Sequence, residues 1–159
     1  MGIRFLFSRP QYFLALGFGA GLIPKAPGTA GAAVGILFYL TSISHLAVYW
    51  QLIVMAALFI IGWHVCETTG RAIGQHDHSM IVWDEIWAMA AVFVFIPASA
   101  STAVAAFFLF RLFDIWKPWP INRIEKRLQN GLGVMLDDLL AASYTVLTIV
   151  LAHRLFGWS

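Results

Sequence analysis

The sequence predicts an all-α fold: a polytopic membrane helix bundle with an N-terminal interfacial helix and a helical hairpin broken near Pro97. Three observations predict it. Hydrophobic residues fill 60% of the 159 positions and charged ones only 11%, and a water-soluble domain of this size has too much surface for its volume to hide so many apolar side chains. The apolar residues gather in runs, of which 46–65 is long enough for a helix to cross hydrocarbon. Five of the eight carboxylates, Asp84, Glu85, Asp114, Asp137 and Asp138, stand at the ends of those runs and not in open loops. The length suggests a single domain over 1–159.

Arg4 and Arg9 precede a short apolar run broken by Gly17, Gly19 and Gly21 and followed by Pro24 and Lys25. A cleaved leader fits this poorly, so 4–18 is expected as an interfacial or partly buried helix that stays with the mature chain. The next helix, 30–44, is rich in small residues such as Gly31, Ala32, Ala33 and Gly35, which permit close packing, and a tight turn near 42–45 follows it. Residues 46–65 form the strongest span, and 66–79 are expected as a polar connector. The apolar stretch 80–113 is too long for one span, and Pro97-Ala98-Ser99-Ala100-Ser101 divides it into helices at 81–96 and 101–113. This division returns Arg111 and Asp114 to the side of Asp84 and Glu85. A polar connector, 114–136, contains a short amphipathic piece marked by Ile121, Ile124 and Leu128, and a last span runs over 139–156. Trp83, Trp87, Trp116 and Trp119 flank the polar segments, where membrane-interface positions are expected.

A carboxylate at a membrane boundary loses hydration and needs a cation or a donor. Two adjacent acidic pairs and a further Asp offer hard oxygen ligands without sulfur, a set suited to Mg²⁺; ion pairing with Arg111, Lys117 and Arg123 is the competing explanation. The segment Pro24-Lys25-Ala26-Pro27-Gly28-Thr29 reads as an anion cradle at a helix start. Gly28 would allow close backbone approach, Thr29 would cap the helix and Lys25 would add a point charge, although a plain turn before a helix has the same composition. Arg111, Asp114 and Lys117 recur at three-residue spacing and share one face if the helix persists that far. Gly131 and Gly133 precede Asp137 and Asp138, which are expected at the positive end of the last span. Asp77 and His78 are auxiliary candidates, as a ligand or acid or as members of a polar loop. Cys66 is the only cysteine, which excludes an intramolecular disulfide, and its spacing to Arg71 is one residue short of a cysteine-phosphatase loop. His45, His64 and His153 have no neighbouring partners in sequence and are read as structural.

Taken in order, four stretches resemble the phosphatidylglycerophosphatase A family: Pro24 to Thr29, Ile81-Val82-Trp83-Asp84-Glu85, Phe110-Arg111-Leu112-Phe113-Asp114 with Lys117-Pro118-Trp119-Pro120, and Gly133-Val134-Met135-Leu136-Asp137-Asp138. The resemblance extends over about 17–142, with Ala88, Asn130 and Ala142 where glycine is expected. It implies a Mg²⁺-dependent hydrolase that removes the terminal phosphate of phosphatidylglycerophosphate to leave phosphatidylglycerol, at a bacterial inner membrane. In that reading Asp84, Glu85, Asp114, Asp137 and Asp138 hold one or two Mg²⁺ ions, while Lys25, Gly28, Thr29, Arg111 and Lys117 receive the phosphate. Spacing leaves open whether a carboxylate or a water attacks phosphorus. The expected partners are the membrane and an anionic phospholipid; a net charge of +2 with basic residues flanking apolar runs does not suit nucleic acid. With the basic segments collected on one side, the site is expected on the cytoplasmic side of that membrane. Competing classes are a small metal or ion transporter, whose carboxylates should lie mid-span, and another lipid-phosphate hydrolase or transferase. The spaced aspartate signature of the CDP-alcohol phosphatidyltransferases is absent.

Overall fold

The computed structural model describes residues 3–157, and these form eight α-helices without a strand. Near the start, Pro10 cannot donate a backbone hydrogen bond and Arg9 before it is extended. The helix expected at 4–18 is therefore two short ones, α1 (Ile3–Leu6) and α2 (Pro10–Ala15). The chain then reverses through a 3-10 turn, Gly17–Leu22, in which Phe18 and Gly19 have φ of 59° and 108°.

Helix α3 (Pro27–Phe38) starts earlier than expected because Pro27, with its preset φ and missing N–H, suits a first helical position. Thr29 consequently lies inside the first turn; the cap position is Ala26, which offers no side-chain bond, so Thr29 does not cap the helix. A π-helical turn, Tyr39–Ile43, extends α3 to the bend before α4 (Val48–Ile73). Helix α4 continues past the expected end at 65 into the stretch expected as a connector. Arg71 and Glu67 pair one turn apart at 2.6 Å, and Gly74 stops the helix in a left-handed cap.

The broken hairpin is α5 (Trp83–Phe95) and α6 (Ala100–Trp116), with Pro97 in the turn. Ser99 and Thr102 cap α6 reciprocally, Thr102 N–H donating to Ser99 Oγ at 3.2 Å and Ser99 N–H to Thr102 Oγ1 at 3.0 Å. After the short α7 (Ile121–Arg127) comes α8 (Gly131–Phe156), which also begins earlier than expected. Asn130 caps it by accepting from Gly133 N–H at 3.0 Å, and Gly131 N–H donates to Glu67 Oε2 at 2.5 Å. A Cβ on Gly131 would strike the α4 backbone at Trp63 and Glu67, so this glycine lets two helices cross closely. Asp137 and Asp138 therefore sit in the second turn of α8, beyond its positive end.

Glu67→Ala should leave the Gly131 N–H without its partner where α8 starts. The expected cost is about 1–2 kcal/mol, read as a drop of about 2–8 °C in the thermal midpoint in detergent, whereas an unchanged midpoint would show that Asn130 alone holds the helix start.

Helix α5 occupies the centre, buried along almost its whole length and packed against α3, α4 and α8, while α6 and α7 cover α8. Gly31 and Gly35 line the α3 face that meets α5; a Cβ there would collide with Val82 and with Ile86 and Met89. Ala88 and Ala142, standing where glycine was expected, are buried without difficulty. Trp83 and Trp87 belong to this core and not to an outer interface, because α5 is surrounded: Trp87 Nε1 donates to the Met55 carbonyl at 2.8 Å. Trp116 and Trp119 are exposed, each at 68%.

Two helices, α4 and α8, are long and apolar enough to cross a membrane. At 1.5 Å per residue, 26 residues reach about 39 Å. Their outward faces carry Leu52, Ile53, Ile60, Leu147 and Leu151, and α6 adds Val104, Phe108 and Leu112. Exposed apolar side chains on these outward faces are compatible with contact to lipid.

Candidate active site

The first turn of α5 and the second turn of α8 meet, bringing one carboxylate oxygen each from Asp84, Glu85 and Asp138 to within 4.8 Å of one another. Asp84 and Asp138 are buried, and the Glu85 side chain is 14% exposed. Asp84 Oδ1, Glu85 Oε2 and Asp138 Oδ2 are buried oxygens without a hydrogen-bond partner among the described residues. Three carboxylates gathered out of water with orphaned oxygens are stable only as the shell of a cation, or with protons between them. The set is oxygen only, which fits a hard divalent ion such as Mg²⁺ and not a thiophilic one.

The hairpin returns α6 to this point, as the break at Pro97 predicts. Arg111 Nη1 lies 2.5 Å from Asp114 Oδ2 and 3.8 Å from Glu85 Oε1. The first turn of α3 closes the other side: a Cβ on Gly28 would overlap Glu85 Oε1 and Arg111 Nη1. Pro27 has no N–H, and the Gly28 and Thr29 N–H groups lie too early in α3 to find carbonyls within it, so the positive end of α3 abuts the Glu85–Arg111 pair. Lys25 stays at the rim, exposed, with a left-handed φ of 74°, lining a surface pocket with His78. His78 Nδ1 accepts from Met80 N–H at 3.2 Å, and the Asp77 side chain is 62% exposed; neither joins the carboxylate trio.

Lys117 departs from the shared face expected for Arg111, Asp114 and Lys117. Helix α6 ends at Trp116 and Lys117 takes a left-handed conformation, φ 47°, that turns it away from the helix line. Its Nζ lies 2.6 Å from Glu125 Oε1, 3.5 Å from Asp137 Oδ2 and 4.0 Å from Asp77 Oδ2. Burial opposes the charge on Lys117, yet the hydrogen bond to Glu125 and the negative charges of Asp137, Asp77 and Glu125 hold its pKa above the ordinary lysine range. It remains an ammonium throughout the neutral range.

Two carboxylates that the sequence reading left aside, Glu67 and Glu125, are anchors here. Glu67 was legible as the acidic member of an i,i+4 pair with Arg71. Glu125, one acid among Arg123, Lys126 and Arg127, carries no local signal, because its partner lies across the turn between α6 and α7.

Fold and site together define a helical protein with apolar outer faces and, at a helix junction, a buried cluster of carboxylate oxygens of a kind that could hold a cation. Residues 13–153 match the family described as phosphatidylglycerophosphatase A, and the chain belongs to that family. It is similar to the phosphatidylglycerophosphatase A of Haemophilus influenzae, 45% identical over 88% of this chain and 86% of the relative. To the enzyme of that name from Escherichia coli it is 41% identical over 87% and 80%. A Bacteroides thetaiotaomicron protein named "Putative phosphatidylinositol-3-phosphatase" is 32% identical over 94% of this chain and 99% of the relative. No solved structure matches the chain.

Proposed function

We propose that the chain is a phosphoric monoester hydrolase that converts phosphatidylglycerophosphate to phosphatidylglycerol and inorganic phosphate in phospholipid biosynthesis. The observation that carries this reading, beside the family, is the meeting of the Asp84, Glu85 and Asp138 carboxylates with Arg111 and the positive end of α3 at one point. Mg²⁺ held by Asp84, Glu85 and Asp138 supplies Lewis acidity toward a phosphoryl oxygen when bound. Arg111 and the Gly28 and Thr29 N–H groups receive the remaining phosphoryl oxygens, as a guanidinium and a helix start are suited to do. Asp114, bonded to Arg111, holds the guanidinium in place. Lys25 at the rim draws the anionic headgroup inward. The bond that breaks joins the terminal phosphorus to the headgroup glycerol oxygen; water provides the new oxygen of inorganic phosphate and a proton to the freed hydroxyl.

In this reading α4 and α8 cross a bacterial inner membrane, with the shorter α3 and the α5–α6 hairpin embedded beside them. Arg4, Arg9, Lys25 and the basic residues of α7 gather with the site on the cytoplasmic side. The name of the Bacteroides relative favours a second substrate, an inositol lipid monophosphate. The decisive experiment compares phosphate release by the purified protein from phosphatidylglycerophosphate and from phosphatidylinositol 3-phosphate, with Mg²⁺ or a chelator. Release from the first lipid at least about tenfold faster, a gap of about 1.4 kcal/mol, and its loss with chelator are expected. Release from the inositol lipid alone would move the substrate, and chelator-resistant release would remove the metal.

A further inference from the structure

We infer that the ammonium of Lys117, clamped by Glu125, Asp137 and Asp77, is the built-in second cation of this site, so that the chain takes one divalent ion and Asp137 is not among its ligands. The inference rests on the reading that Asp84, Glu85 and Asp138 hold a divalent ion. Five carboxylates stand near one another, and their partners divide them. Asp114 is bonded to Arg111, and Asp137 Oδ2 faces Lys117 at 3.5 Å while its Oδ1 is buried and unbonded among the described residues; one oxygen each from Asp84, Glu85 and Asp138 converges within 4.8 Å, and of these three only Glu85 has a cationic side chain within 4.0 Å among the described residues, Arg111 at 3.8 Å.

Asp137 and Asp138 are consecutive on α8, where side chains diverge by about 100°, so the pair serves two different positive centres. Asp138 turns to the trio and Asp137 to Lys117. A lysine ammonium is a compact charge with three donors, and three carboxylates surround this one. A two-metal hydrolase places its ions about 3.5–4 Å apart between shared carboxylates. Here the neighbouring acidic pocket is already filled by a fixed charge that would repel a second divalent ion. Glu125 is then a positioning residue: without it the flexible lysine stem is free to leave Asp137.

The test uses Mn²⁺ as the probe on the full-length protein in detergent, counted by electron paramagnetic resonance and equilibrium dialysis. The wild type should bind one Mn²⁺ per chain. Asp138→Asn should weaken that site more than about a hundredfold, whereas Asp137→Asn and Glu125→Gln should leave its affinity within about threefold. Glu125→Gln should nonetheless lower kcat by about tenfold at unchanged Mn²⁺ occupancy, and Glu125→Asp should recover part of that loss. Two Mn²⁺ per chain, an Asp137→Asn loss equal to that of Asp138→Asn, or an unaltered kcat in Glu125→Gln would each overturn the inference while leaving the carboxylate trio intact. A wild type that binds no Mn²⁺ would remove the metal reading and the inference together.

Discussion

Asp84→Asn should reduce phosphate release from phosphatidylglycerophosphate by at least about a hundredfold, and Asp138→Asn should do the same. Asparagine keeps the shape of aspartate and removes its charge, so the packing of the buried start of α5 is preserved while the trio loses one of three anionic oxygens. Because the trio acts as one unit, the double variant should be little worse than either single one. On the proposed reading, in which the trio holds Mg²⁺, raising Mg²⁺ should restore part of the Asp84→Asn rate. A folded Asp84→Asn protein with half of the wild-type rate would detach the site from the reaction. The measurement is initial phosphate release against Mg²⁺ concentration, with circular dichroism as the control for fold.

Gly28→Ala is the second large effect expected, and it separates fold from function. Gly28 lies within the first turn of α3, where alanine is the better helix former by about 1 kcal/mol. The helix itself therefore gains from the change. The added methyl, however, would overlap Glu85 Oε1 and Arg111 Nη1, and neither group can retreat without moving the carboxylate trio or the Arg111–Asp114 pair. A displacement of about 1 Å at reacting groups costs on the order of a hundredfold in rate. The expected result is a thermal midpoint within a few degrees of wild type and a turnover reduced by that factor. A full rate in Gly28→Ala would mean that α3 does not abut the phosphate position.

Much of the architecture was legible in the chain. The break at Pro97 was readable because a proline among small polar residues cannot continue a helix, and it correctly returned Arg111 and Asp114 to Glu85. The helix starts were less legible. Pro27 and Asn130 are both good initiators, but the apolar runs after them begin later, and hydrophobicity drew the expected boundaries inward. Those shifts mattered chemically, since they placed Thr29 inside a turn and moved Asp137 and Asp138 off the positive end of α8. Trp83 and Trp87 were misplaced for a related reason: amphipathic rings near polar residues suit an interface, but α5 is enclosed on all sides and its indoles pack and bond inward.

What the sequence determined by itself was the apolar character of the chain, the helical class and the acidic inventory. Apolar content, run length and carboxylate position are properties of composition and order, and transfer energies act on them whatever the packing. What only the tertiary structure decided was the division of labour among five similar carboxylates. Asp137 and Asp138 are chemically identical neighbours, and one faces an ammonium while the other joins Asp84 and Glu85. Coulombic partnership depends on distances between residues far apart in the chain, such as Lys117 to Asp137 or Glu85 to Arg111. Those distances exist only once α5, α6 and α8 have packed.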